Sequence, residues 1–166
     1  MIILDFEASG IMKGSFPIEI AWIRDSGTAI STLIQPSDNW LSNENLWSER
    51  SQNVHGIEKA TLISEGLDIK SVIDLIVNDI KEYETIYSDN PSFEQEWLDR
   101  LFDEARISHN YIVRDFNVML NNISDPYSME GAYYQARKIS PPTHRAQRDV
   151  EYLLTVYNIL KNCDYK

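Results

Sequence analysis

One cysteine among 166 residues, Cys163 near the C-terminus, excludes an internal disulfide and any cysteine-rich zinc site, and leaves an incidental free thiol. No stretch approaches the roughly 18 apolar residues of a membrane span, so no membrane partner is expected. No charged-then-apolar leader is evident either, which makes the cytoplasm the expected compartment. Basic residues are scarce: 15 Lys and Arg stand against 26 Asp and Glu, a net charge of −11. That deficit argues against a protein that coats nucleic acid by neutralising phosphates, though not against an enzyme that grips one end of a strand. Repeats, low-complexity tracts and linkers are also missing. Residues 1–166 therefore read as a single domain, long enough to bury a core.

What is present follows a consistent order. Apolar-rich runs at Ile2–Glu7, Pro17–Arg24 and Thr28 to about Ile34 read as strands, the last two joined by a turn at Asp25-Ser26-Gly27. Pro36 closes the third. Residues 38–67 read as short helical pieces containing Trp40 and Trp47, which pack under the loop or, as an alternative, stack on bases. From an Asp68 cap, Ile69, Val72, Ile73, Ile76, Ile80 and Tyr83 keep helical spacing. A short strand, ETIYS, precedes a helix from about Pro91 that turns Phe93, Trp97, Leu98, Leu101 and Phe102 inward. A further strand, NYIVRDF, leads to helical material up to about Lys138, and a last helix follows Pro141-Pro142 with Thr143 as its cap. Three strands, then alternating helix and strand, predict an α/β fold with a mixed sheet flanked by helices.

The first strand, IILDFEASG, carries two acids one residue apart. Successive strand side chains alternate faces, so Asp5 and Glu7 point the same way, about 7 Å apart, while Ile2, Leu4 and Phe6 point the other. Such a pair is costly unless a cation or proton sits between, or unless the strand end simply reaches water. Sites in α/β sheets gather at strand ends and the following helix starts. Two further stretches therefore qualify. YSDNPSFEQEWL offers Asp89 and Glu94, and PPTHRAQRDVEYLL offers His144 and Asp149. Five residues is about 140° on a helical wheel, so His144 and Asp149 meet only if His144 stands in the loop before the helix. Residues 131–148 hold Arg137, Lys138, Arg145 and Arg148 and no acid, either a solvated face or a path for phosphates.

These residues together resemble the DEDDh branch of the 3′–5′ exonucleases, which includes proofreading exonuclease subunits, ribonuclease T and oligoribonuclease. The Asp-x-Glu motif is Asp5-Phe6-Glu7, followed by Ser9-Gly10. PIEIAW matches the usual second strand, His55-Gly56-Ile57 a His-Gly-Ile element, and His144 to Asp149 the closing His-x-x-x-x-Asp with Ala146 between. The match runs over essentially the whole chain. It implies a ribonuclease H-like fold and hydrolysis of single-stranded RNA or DNA from the 3′ end to nucleoside 5′-monophosphates. It implies two divalent cations, Mg²⁺ or Mn²⁺, about 3.5–4 Å apart, held by Asp5, Glu7, a third acid and Asp149. His144 would serve as general base, since an imidazole changes charge near neutral pH. The backbone of Phe6, Ser9 and Gly10 would hold the terminal nucleotide, with Arg145 and Arg148 along the strand's exit path. Small relatives are often dimers, which allows a homodimer.

One motif departs from the family. Where Asn-x-x-Phe-Asp is usual, this chain has Asn90-Pro91-Ser92-Phe93-Glu94. Glu94 is the expected third ligand and Asp89 the alternative. A longer side chain strains the octahedral geometry Mg²⁺ prefers and favours the more forgiving Mn²⁺. The change also admits a second class, a catalytically impaired nucleic-acid-binding or regulatory module on the same fold. Another metal-dependent phosphoesterase is the third. His55 is expected to be structural, holding the 38–67 segment against the sheet, and Trp22 and Trp97 to be core.

Overall fold

The computed structural model describes residues 1–25 and 27–163; Ser26 of the expected hairpin turn and the Cys163 side chain lie outside it. Strands β1 (Ile2–Ala8), β2 (Pro17–Arg24) and β3 (Ile30–Leu33) form the antiparallel meander expected from the sequence. Four short helical pieces follow: α1 (Asp38–Leu41), a 3-10 turn at Glu44–Leu46, α2 (Glu49–His55) and α3 (Lys59–Glu65). Then come α4 (Ile69–Asp79), β4 (Ile86–Ser88), α5 (Pro91–Glu104) and β5 (Val113–Asp115). The chain continues through α6 (Phe116–Asn121), α7 (Pro126–Ile139) and α8 (Ala146–Cys163). The sheet runs β3-β2-β1-β4-β5, with β4 parallel to both β1 and β5. It is a mixed sheet with helices on both faces.

Alternation along β1 divides the core. Ile2, Leu4 and Phe6 pack with Val72, Ile76, Trp97, Leu98, Leu101 and Phe102 from α4 and α5. Ile3 faces the opposite layer, with Ala132 and Ala136 of α7 and Val150, Leu153, Val156 and Leu160 of α8. Asp5 and Glu7 share the parity of Ile3 and so extend toward α8. β1 and β2 are largely buried on both faces because helices cover both, with Asp5, Glu7 and Glu19 the acids within their apolar runs.

Element ends differ from expectation for local reasons. Asp68 caps α4 as expected, its carboxylate accepting from the Ser71 amide at 3.1 Å. The helix stops before Ile80, and a turn closed by Lys81 N–H donating to Glu84 leaves Tyr83 exposed rather than inward. β5 is only three residues long, since Asp115 caps α6 and draws Phe116 into that helix. Phe93, on the first turn of α5, is partly exposed, whereas Trp97, Leu98, Leu101 and Phe102 are buried. Thr143 is not the cap of α8: the first helical amide bond of the segment, Asp149 N–H to the Arg145 carbonyl, places the helix start two residues later. Trp40 lies buried in a stack on Phe16 with ring centroids 5.1 Å apart, and Trp47 donates to Gln52 at 2.7 Å. Both pack under the loop. His109, with no partner evident from sequence, meets Asp99 at 3.2 Å.

Candidate active site

β1 and β4 pair only through Ile2 and Ile3, so the C-terminal half of β1 has no strand beside it on that edge. The chain leaves β4 at Ser88 and turns through Asp89 and Asn90 into α5, whose Pro91 is pre-set for a first helical turn. That turn brings Glu94 beside Asp5. From the opposite layer, α8 delivers Asp149, and the loop before it delivers His144. A cleft of about 680 Å³ opens where these meet, lined by Asp5, Phe6, Glu7, Asp89, Glu94, His144 and Asp149 among others. The expected catalytic and metal residues are all in one place.

Their electrostatics are those of crowded acids. Burial is the main force lifting the Asp5 carboxyl well above its ordinary range, followed by the charges of Glu94, Glu7, Asp149 and Asp89. Burial likewise pushes Glu7 up to about 8, with Asp149 and Glu19 adding to it and Arg145 opposing. Glu94 is raised by burial, then by Asp89 and Glu7, while the Phe6 backbone amide pulls it back. Asp149 is raised by burial and held back by the Thr143 amide, which donates to its Oδ1 at 2.9 Å. Of the two candidates for the third acid, Glu94 is buried and Asp89 exposed at the rim.

Two observations test whether divalent cations suit this cluster. Glu94 Oε2 is buried without a hydrogen-bond partner among the described residues, an arrangement that leaves a costly orphan unless something else occupies its lone pairs. One ligand atom each from Glu7, His144 and Asp149 lies within 4.8 Å of the others. The carboxylate oxygens form a hard donor set of the kind that suits Mg²⁺ or Mn²⁺, with the imidazole beside that set rather than part of it. The residues fit.

Not every expected substrate residue reaches the cleft. Phe6 and Gly10 line it, but Ser9 is buried and fully committed: its hydroxyl donates to the Leu46 carbonyl at 2.7 Å and accepts from the Phe16 amide at 3.0 Å. Its own N–H and carbonyl bond Phe16 and Ser48. Gly10 is closely enclosed: a Cβ there would stand 2.8 Å from Ser15 Oγ and 3.2 Å from Ser48 Cβ, so a larger residue would require both serines to shift. Arg145 turns away to Glu19 and Arg148 pairs with Glu151, so the expected phosphate path along them is not what the structure brings together. The cations lining the cleft are Arg50 on α2 and Arg137 on the last turn of α7. Arg137 belonged to the basic stretch; Arg50 had no spacing or motif to mark it.

His55 holds its segment as expected, Nδ1 accepting from the Ile57 amide at 3.0 Å beside the left-handed cap Gly56. It also lines the cleft, and its Nε2 is buried with no partner among the described residues.

No protein-family model and no curated protein matches the chain by sequence. Solved structures do match in shape. E. coli exonuclease I in complex with a dA16 oligonucleotide superimposes with a TM-score of 0.72 at 15% identity, over 97% of this chain and 40% of that one. The zinc-ion-bound form of the E. coli exonuclease I complex with single-stranded DNA gives 0.71 at 16% identity, over 98% and 40%. A product-bound structure of exonuclease I gives 0.68 at 14% identity, over 97% and 43%. What they share with this chain is the fold. The chain spans about two fifths of the length of these proteins. The ribonuclease H-like architecture expected from the motifs therefore stands.

Proposed function

We propose that residues 1–166 act as one metal-dependent 3′–5′ exonuclease domain that removes nucleoside 5′-monophosphates from single-stranded RNA or DNA. The observation that carries this is the meeting of Asp5, Glu7, Glu94 and Asp149 at one strand end, with an orphaned carboxylate oxygen and an imidazole beside them. The neighbours' single-stranded DNA complexes and product-bound form support the same substrate class.

Asp5, Glu7, Glu94 and Asp149 would hold two divalent cations. Once bound, the cations supply charge neutralisation and Lewis acidity at the scissile phosphate. The chain's own residues do the rest. His144 takes the proton from a water whose oxygen attacks phosphorus; the P–O3′ bond breaks and the shortened strand keeps its 3′-oxygen. The backbone at Phe6 and Gly10 and the exposed apolar Ile11 and Val54 border the place for the terminal nucleotide. Arg50 and Arg137 are set to meet the strand's phosphates.

A module that binds strands without cutting them is the competing reading, favoured by Glu94 standing where the family has Asp. Incubation of matched RNA and DNA single strands with Mg²⁺ or Mn²⁺ decides. Turnover lost in Asp5→Asn supports hydrolysis. Binding without turnover in the wild type supports the module.

A further inference from the structure

Glu19 is an acid in the middle of a buried strand, 2% exposed and directly opposite Glu7 in the β1–β2 pairing. A charge so placed is tolerated only with full pairing. Among the described residues, its side-chain partners come from the junction of one loop with α8, more than a hundred residues away. Arg145 donates from Nε to Oε2 at 3.0 Å and from Nη2 to Oε1 at 2.8 Å, and the Ala146 amide donates to Oε2 at 3.0 Å.

The residue before this grip is His144. It sits in a loop preceded by two prolines, its φ is +55°, and its imidazole makes no hydrogen bond among the described residues. No hydrogen bond among the described residues therefore aims the ring, which leaves its backbone to set where it stands. That backbone is fixed on one side by the Thr143 amide on Asp149 and on the other by Arg145 and Ala146 on Glu19.

We propose that Glu19 and Arg145 are a positioning pair that pins the His144 loop to β2 and so sets where the imidazole stands relative to Glu7 and Asp149. The pair touches neither substrate nor reacting atoms. Two bonds in a planar fork allow one orientation of the loop, which a single amine could not impose. The left-handed backbone at His144 persists because both neighbouring residues are tied. The kinetic part of this inference rests on the hydrolytic reading of the cleft; the structural part does not.

The test compares Arg145→Ala, Arg145→Lys and Glu19→Gln with the wild type. The chain has only three histidines, so the imidazole NMR signals are separable, with His109 as a distant reference. In metal-free Arg145→Ala, the His144 signals should move and sharpen toward those of a freely rotating histidine while those of His109 stay. With Mg²⁺, kcat should fall at least about tenfold at a near-constant KM, as expected for a misplaced general base, and Arg145→Lys should recover part of both effects. Should Arg145→Ala fail to fold, Glu19→Gln carries the same comparison, since it keeps the shape and the Ala146 bond. Unmoved His144 signals would overturn the proposal. So would a rise in KM at constant kcat, which would make Arg145 a phosphate contact. If the wild type shows no turnover at all, the hydrolytic reading fails, and the His144 signals alone decide the role of the pair.

Discussion

Raising the pH in the absence of metal should unfold this protein more easily, and divalent cations should cancel the effect. Glu7 has a folded-state pKa of about 8 against an ordinary 4.5, because burial and the charges of Asp149 and Glu19 disfavour its ionised form. Between those values the folded chain keeps a proton that the unfolded chain has released, so stability falls as pH rises and is fully lost above the folded pKa. At about 1.4 kcal/mol per unit, the whole displacement corresponds to roughly 5 kcal/mol, and relaxation of the site lowers that. His55, pushed down mainly by burial, acts in the opposite sense below its ordinary 6.5, so the clean window lies above that. From about pH 6.5 to 8 the Glu7 part alone is worth up to about 2 kcal/mol, a sizeable share of a typical total of about 5–15. Asp5, Glu94 and Asp149 are displaced in the same direction. Urea denaturation with chelator or with Mg²⁺ across this window measures it. Cations bind the ionised cluster, so at about 100 times their Kd they should restore about 2.7 kcal/mol near pH 8 and less near pH 6.5. Metal-free stability that holds level or rises across the window, or equal stabilisation by Mg²⁺ at both ends, would refute the reasoning.

Other outcomes follow from single side chains. Glu94→Gln should reduce turnover by about 10²-fold or more, as loss of a principal charge in a site does. Glu94→Asp should be far milder and shift preference from Mn²⁺ toward Mg²⁺, and Asp89→Asn should matter less than Glu94→Gln; the reverse ranking in turnover assays would hand the third position to Asp89. Arg50→Ala with Arg137→Ala should raise KM and flatten its salt dependence by about one counterion for each phosphate left without its arginine, which a KM series in KCl reads directly. Trp40→Ala should destabilise the fold by about 3–5 kcal/mol in urea titrations yet leave the affinity of the folded protein for single strands unchanged. A selective loss of that affinity would revive base stacking at Trp40.

Much of this arrangement is legible in the chain, because β1 follows strict alternation. Two acids on one face and three apolar side chains on the other are local facts that survive folding. His144 and Asp149 converge although they are five residues apart, since the helix begins at Ala146 and leaves His144 in a left-handed loop. Glu94 is expected ahead of Asp89 from its place in the Asn-x-x-Phe-Asp pattern; that it is also the buried one of the two follows from the close approach of α5 to β1, which no local pattern reveals. Arg145 shows where sequence reasoning stops. A cation beside the proposed general base looks like a phosphate ligand until the fold supplies Glu19 from β2. The signal was present in PIEIAW, a buried strand with a carboxylate in its middle, but a buried charge announces only that it has a partner. Arg50 was silent, because a cation on a short helix carries no period. Tyr83 followed the helical spacing of α4 but lies past its end, since periodicity says nothing of where a chain turns.

The most direct measurement is the identity of the first product from a single strand whose two terminal nucleotides differ, followed by mass spectrometry with Mg²⁺ or Mn²⁺ and with chelator. The 3′-terminal residue should appear first, as its nucleoside 5′-monophosphate, only with the cation present, and not from Asp5→Asn. Release from the 5′ end, internal cuts, a 3′-monophosphate product, or equal release in chelator would contradict the account.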